Sequence, residues 1–298
     1  MATIYRFLFL RREEDDLFLP FYRIACSLFL LIHFWAIRAD FPFIYGNNGM
    51  IPADLSDLFK KPTIPTISNI TTLLQQLIPM SNDTALLTIR AYYTLLGICL
   101  LVGFLSRISA IQLLLLHAIL VNGAHLYSYG ADTFTSIALL YCCLFPVGQQ
   151  LSLDRLLFPR TAWVNPSFYR KILQLHICIV YFFSGLEKLI GFNWWNGEAI
   201  WKAIHLPFLY PSFNPDYSFM ATYPVIPVLI GWMTILTEIL YPVFIWKQAY
   251  RKTWLGLVLT MHTGIMITLS LYFFSTLMIL LNLAAFMHLR KPGTVYAT

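Results

Sequence analysis

Apolar residues in this chain fall in long, nearly unbroken runs rather than at the alternating positions of half-buried strands. About 20 apolar residues in a helix cross the roughly 30 Å hydrocarbon core of a bilayer. Eight runs approach or reach that length: Leu17–Ile37, Leu86–Leu105, Ile108–Leu126, Thr133–Val147, Ile172–Leu189, Pro224–Trp246, Thr253–Leu271 and Phe274–Met287. The fourth and eighth are short, and Thr253–Met287 also reads as one span followed by a re-entrant segment. The pattern predicts an all-α fold: a polytopic transmembrane helical bundle of about eight spans in a single membrane domain over residues 1–298. The charged stretch Arg11-Arg12-Glu13-Glu14-Asp15-Asp16 precedes the first run, and no short apolar core with a small-residue cleavage site follows. The first run therefore reads as a retained helix and not a signal peptide.

Three connecting segments are long. Arg38–Asp83 holds a possible surface helix at Ile70–Met80 and two Asn-x-Thr triplets, at Asn69 and Asn82. Such triplets arise by chance and matter only in a eukaryotic secretory lumen. Leu151–Phe168 is the second. Ile190–Tyr223 is rich in aromatic residues: Trp194, Trp195, Trp201, Phe208, Tyr210, Phe213, Tyr217, Phe219 and Tyr223. Tryptophan and tyrosine favour the headgroup layer, so this loop is expected to lie along the membrane surface and cover the mouth of the bundle.

Composition agrees with the pattern. Hydrophobic residues make up 58% and charged residues 11% of the 298 positions, against about 45–50% and about 25% in soluble domains. Disorder, a fibrous repeat, a secreted disulfide scaffold and an ordinary soluble enzyme are all disfavoured. Cys26, Cys99, Cys142, Cys143 and Cys178 lie inside apolar runs without a C-x-x-C spacing, and read as small buried hydrophobes. The net charge of +6 is too diffuse for a nucleic-acid footprint, so no nucleic-acid partner is expected; the membrane lipid is the expected surroundings. The charge instead sets orientation. With the N-terminus inside, the inner segments carry Arg6, Arg11, Arg12, Arg107, Arg155, Arg160, Arg170, Lys171, Lys247, Arg251, Lys252, Arg290 and Lys291. The outer segments carry only Arg38, Lys60, Lys61, Lys188 and Lys202. Positive residues favour the inner side, which predicts both termini in the cytoplasm and an even number of spans.

Polar groups inside a bilayer are costly, roughly 2.5–3.5 kcal/mol at a helix centre on insertion scales, and usually face a cavity or a partner. Here they are Arg23, His33, Arg90, His117, Asn122, His125, Asp132, His176, Glu187, Lys188, Glu238, His262 and Asn282. From Arg170 to Lys188 is about 27 Å along a helix, which places Lys188 near the outer hydrocarbon edge, under the aromatic loop. Tyr181, Ser184 and Lys188 share one helix face; His176, Phe183 and Glu187 share the next. Lys188 suits two roles. It can snorkel to the headgroups, or, held under a lid and partly desolvated, supply a neutral amine as a general base. The small residues Ser184 and Gly185 admit a close helix neighbour. In the sixth run Glu238 wants a cation, and Arg90 is the natural candidate for an interhelical clamp. His117, His125, His176 and His262 read as interhelical hydrogen-bonders. No metal-ligand spacing occurs, so no metal is expected, and there is no nucleophile elbow, P-loop or dinucleotide fingerprint.

The stretch Tyr181-Phe182-Phe183-Ser184-Gly185-Leu186-Glu187-Lys188-Leu189, followed by Trp195-Asn196-Gly197-Glu198-Ala199-Ile200-Trp201, resembles the horizontally transferred transmembrane (HTTM) family, the membrane domain shared with vitamin K-dependent gamma-glutamyl carboxylase. Gly46–Ile51, Ser152-Leu153-Asp154, Glu238-Ile239-Leu240-Tyr241-Pro242 and the helix from His262 to Phe274 fit in the same order. The resemblance implies a helical membrane bundle with a pocket on the periplasmic or lumenal side, in a bacterial cytoplasmic membrane or the endoplasmic reticulum of a eukaryote. It also implies a quinone/hydroquinone cofactor of the vitamin K type. The family's motif lysine deprotonates that hydroquinone, oxygen turns it into a stronger base that takes a glutamyl γ-proton, and carbon dioxide traps the carbanion. Lys188 is the matching position. Its pocket would draw on Tyr181, Ser184, Glu187, Trp195, His176, Glu238, His262, Arg90 and His125. The carboxylase's substrate-gripping lumenal domain has no counterpart before Thr298.

Three functions follow as expectations. One is a carboxylase-like or oxidoreductase-like enzyme using a lipid quinol, with Lys188 as base. Another is a non-catalytic membrane partner for the maturation, export or immunity of a secreted peptide, contacting a peptide or protein at the outer face, as in the B component of the bacterial sporulation-delaying system. A transporter is the third, and no paired half-chains with matching broken helices support it.

Overall fold

The computed structural model describes residues 17–46, 61–158, 165–206 and 216–287. Arg6, Arg11, Arg12, Lys60, Arg160, Arg290 and Lys291 of the charge pattern, and Phe208, Tyr210 and Phe213 of the aromatic loop, lie outside the described residues. The described residues are helical, without strands. In chain order the helices are α1 (Phe18–Ala36), α2 (Phe41–Tyr45), α3 (Ile67–Leu77), α4 (Asn82–Val102), α5 (Ser106–Gly123), α6 (Gly130–Leu144), α7 (Leu153–Leu157), α8 (Pro166–Ile190), α9 (Phe192–Trp195), α10 (Glu198–Ile204), α11 (Phe219–Thr222), α12 (Val225–Phe244), α13 (Gln248–Leu269) and α14 (Tyr272–Phe286). A 3₁₀ turn, His125–Tyr127, separates α5 from α6.

Five of these, α1, α4, α5, α8 and α12, are long and apolar enough to cross a membrane. Helices α6 and α14 are apolar but shorter, and α13 opens with Gln248, Arg251 and Lys252 in its first turns. The distribution of side chains is inverted relative to a soluble bundle. Leu28, Ile32, Leu87, Leu95, Leu115, Ile179, Phe183, Leu229 and Met233 are exposed, whereas Arg23, Ser27, His117, Asn122, Gln174, Glu238, His262 and Asn282 are buried. Water would penalise such contiguous apolar faces; hydrocarbon requires them, and requires the polar groups to turn inward. This is a membrane-embedded protein.

Local signals set the helix ends. Ser81 caps α4, its hydroxyl accepting from Thr84 N at 3.2 Å, and Gly103 ends it in the left-handed region at φ 72°, where glycine meets no Cβ penalty. Thr66 and Asn69 form a capping box for α3, which therefore starts at Ile67, three residues before the expected Ile70. The Asn69 side chain is engaged in that cap, accepting from Thr66 N at 2.8 Å. Asn165 caps α8 and Pro166 opens it, a favoured pairing, so α8 begins six residues before the expected Ile172 and Arg170 is buried within it. Helix α13 stops at Ser270, held at φ 54°, so the Thr253–Met287 stretch divides into two helices.

The chain forms two compact units. One is Leu19–Val164; the other is Asn165–Thr298 with Met1–Phe18. In the first, α5 packs between α4 and α6. Arg23, 1% exposed, donates to the carbonyls of Leu151 and Leu100. Asp154 accepts from Leu105 N at 2.6 Å, Ser106 N at 2.8 Å and Ser106 Oγ at 2.7 Å, satisfying donors at the start of α5 that the helix leaves open. Asn122 fastens the segment before α3 through Lys61 and Ile64. In the second unit, α12 packs along α8, α14 lies on α8 and α13, and α9 and α10 cover part of α12. Gln174 Nε2 donates to Ala285 O at 2.7 Å.

Candidate functional site

Within the second unit, a glycine fixes the distance between the two central helices. A Cβ on Gly185 would lie 2.8 Å from Ile239 N and 2.9 Å from Glu238 Cβ, so only glycine lets α8 and α12 approach this closely. The approach sets Lys188, one turn along from Ser184 on the face read from the sequence, against the middle of α12. Lys188 Nζ donates to Glu238 Oε2 at 2.8 Å and to Ser184 Oγ at 2.7 Å, and lies 5.2 Å from the centre of the Trp194 ring. The two charged side chains are 19% and 6% exposed. At that separation the two side chains form a charge-assisted hydrogen bond.

Glycine also positions the aromatic cover. Gly231 on α12 lies under the Trp194 carbonyl, where a Cβ would come within 2.5 Å of the oxygen. Trp195 Nε1 donates to Leu189 O at 2.7 Å, and its ring lies against Trp232 at 5.8 Å. The turn at α9 thus holds Trp194 over the lysine and leaves Trp195 43% exposed.

A second polar node lies about 10 Å deeper along α8, at Tyr181. Its hydroxyl is 2.8 Å from His262 Nε2 and accepts from Asn282 Nδ2 at 2.8 Å. Asn282 also donates to Met278 O at 2.8 Å and accepts from Tyr241 OH at 2.6 Å. Tyr181, Tyr241, His262 and Asn282 are all buried. The other ring nitrogen, His262 Nδ1, is buried with no hydrogen-bond partner among the described residues; an unmet buried polar group costs about 1–3 kcal/mol.

Of the residues expected at the site, Lys188, Ser184 and Glu238 come together, Tyr181 and His262 meet each other at the second node, and Trp195 braces the cover. Glu187 is exposed on another face of α8. His176 is half-buried, twelve residues and about 18 Å back along the helix. The expected Glu238–Arg90 clamp is replaced: the cation of Glu238 is Lys188, because Gly185 brings α8 within reach, while the Arg90 guanidinium lies over the Phe41 ring at 5.6 Å in the other unit. His125, in that unit too, opens the 3₁₀ turn and is exposed. Trp194, Tyr241 and Asn282 were not among the expected site residues. Their signals were present in part: Tyr241 shares a face with Glu238, and Asn282 is an amide in an apolar run.

The Leu19–Val164 unit holds a cavity of about 120 Å³, lined by His33, Tyr45, Tyr93, His117 and Asp132 among apolar side chains. His117 bridges Tyr93 OH at 3.4 Å and Asp132 O at 3.1 Å, the interhelical role read from the sequence. Among the described residues no three His, Cys, Asp or Glu side chains gather as a metal site would require. No known family, curated protein or solved structure matches the chain.

Proposed function

We propose that the chain is a multi-pass membrane protein of the HTTM type, with eight spans and both termini cytoplasmic, and that the Lys188–Glu238 site beneath Trp194 is a quinol pocket near the outer face. The observation that carries this reading is a lysine and a glutamate paired at 2.8 Å inside an apolar bundle, under an indole ring. Eight helices at the eight apolar runs support the span count, and the bias of positive residues supports the orientation. The residues suit an aromatic diol. Trp194 offers a ring face, Lys188 a group that takes or gives a proton, and His262 Nδ1 a buried polar atom without a partner among the described residues. A bound quinol would supply a redox-active ring with acidic hydroxyls.

Lys188 acts as general base in this reading. With its proton on Glu238 Oε2, 2.8 Å away, Lys188 would present a neutral amine able to take a hydroxyl proton from a bound diol. Ser184 Oγ holds Nζ in place through the exchange, and the cover at α9 limits water. The test is quinol-dependent oxygen consumption by the purified chain in vesicles, with a reduced short-chain naphthoquinone. Lys188→Ala is expected to lower the rate by at least 100-fold, in line with loss of a general base, when assayed well below the reduced Tm that loss of the ion pair also brings. Full activity in that variant would refute the assignment.

The exposed Phe192, Trp195, Phe219 and Tyr223 favour a second reading, in which this ledge contacts a secreted peptide at the outer face and Lys188–Glu238 is a structural clamp. Trp195→Ala would then abolish function while Lys188→Ala, paired with Glu238→Gln, would not.

A further inference from the structure

The groups around Tyr181 admit one arrangement of protons. The Met278 carbonyl can only accept, so the Asn282 amide must present Nδ2 toward it. The same Nδ2 then donates to the Tyr181 oxygen, and Oδ1 accepts from Tyr241. Among the described residues, the only acceptor within reach of the Tyr181 O–H is His262 Nε2, at 2.8 Å. A neutral imidazole that accepts at Nε2 carries its proton at Nδ1. An imidazolium would leave the Tyr181 hydrogen without an acceptor. The chain Tyr241, Asn282, Tyr181, His262 is therefore directional, and it ends in an N–H on a residue 3% exposed with no acceptor among the described residues. Buried donors in folded proteins are almost always met, which points to a ligand as the acceptor of this one.

We propose that His262 Nδ1–H donates a hydrogen bond to an oxygen of the aromatic diol or dione bound beside Lys188, and that Tyr241, Asn282 and Tyr181 are positioning residues that hold the ring in this tautomer. This rests on the quinol reading of the Lys188 site and adds a second group that recognises the ligand's oxygens.

The test uses the full chain in lipid nanodiscs, with ¹⁵N in its histidines and lysines and 2-methyl-1,4-naphthoquinone as the probe. Substituting His262 assigns its ring signals. The wild-type ring is expected in the Nδ1–H form, Tyr181→Phe is expected to shift it toward the Nε2–H form, and the probe is expected to move the Nδ1 resonance. An asparagine amide overlays the Nδ1 position and a glutamine amide the Nε2 position. His262→Gln should therefore weaken probe binding about tenfold, the loss of one hydrogen bond, while His262→Asn stays within about threefold of wild type. An Nε2–H ring in the wild type overturns the inference. So does an Nδ1 signal that stays still while saturating probe moves the Lys188 Nζ signal; the donor would then meet an ordered water only, and the quinol reading would survive. If the probe moves neither signal, the quinol reading fails and takes this inference with it.

Discussion

Replacing Glu238 by glutamine leaves Lys188 charged at the edge of an apolar bundle. Removing one member of a fully buried ion pair costs about 3–5 kcal/mol, because the other charge stays behind without its partner. Lys188 keeps part of its support: its side chain is 19% exposed, Ser184 Oγ remains at 2.7 Å and the Trp194 ring at 5.2 Å. These reduce the expected loss to about 2–3 kcal/mol. At roughly 2–4 °C per kcal/mol for a large chain, Tm of the purified protein should fall by about 4–12 °C. Lys188→Met should cost a similar amount by stranding the carboxylate. The double variant Lys188→Met/Glu238→Gln should lie above the sum of the two losses, with a coupling of at least about 1 kcal/mol. Thermal unfolding of all four proteins in one detergent measures the cycle. Single variants within 1 °C of wild type, or losses that simply add, would show that the pair does not form as described.

Gly185→Val places new carbons against the backbone of Ile239 and should cost about 1–3 kcal/mol by overpacking, abolishing the Lys188–Glu238 coupling in the same thermal cycle. Asp154→Ala removes three hydrogen bonds at the start of α5 and should cost about 1–2 kcal/mol, with Asp154→Asn milder, read by thermal unfolding. Cysteines placed at Asn193 and Leu156, in a chain whose five native cysteines are alanine, should react with impermeant maleimide from opposite sides of sealed vesicles. Labelling of both from one side would overturn the proposed orientation.

The helices were legible because hydrocarbon selects for long apolar runs, and a run announces itself without tertiary information. Their ends were less so. Arg170 and Lys171 read as the border of a span, yet α8 continues back to Pro166 because Asn165 and Pro166 supply the start signal. The face bearing Tyr181, Ser184 and Lys188 followed from helical geometry alone, and so did the close approach permitted by Gly185. Which helix would approach did not, since that is a property of packing. Glu238 was therefore assigned to Arg90, when the glycine delivers it to Lys188. Asn282 joins Tyr181 to Tyr241 across separations of 101 and 41 residues, and no local pattern encodes such a meeting.

The central claim is that the Lys188 end of α8 binds a quinone-like ring. Photolabelling of the vesicle-reconstituted protein with a photoreactive naphthoquinone, read by mass spectrometry, tests it most directly. The account predicts adducts concentrated on α8, α9 and α12 around Lys188, Trp194 and Glu238, displaced by unreactive naphthoquinone and lost in Lys188→Ala. Adducts spread over outward apolar residues such as Leu28, Leu115 and Ile179, unchanged by competitor, would contradict it.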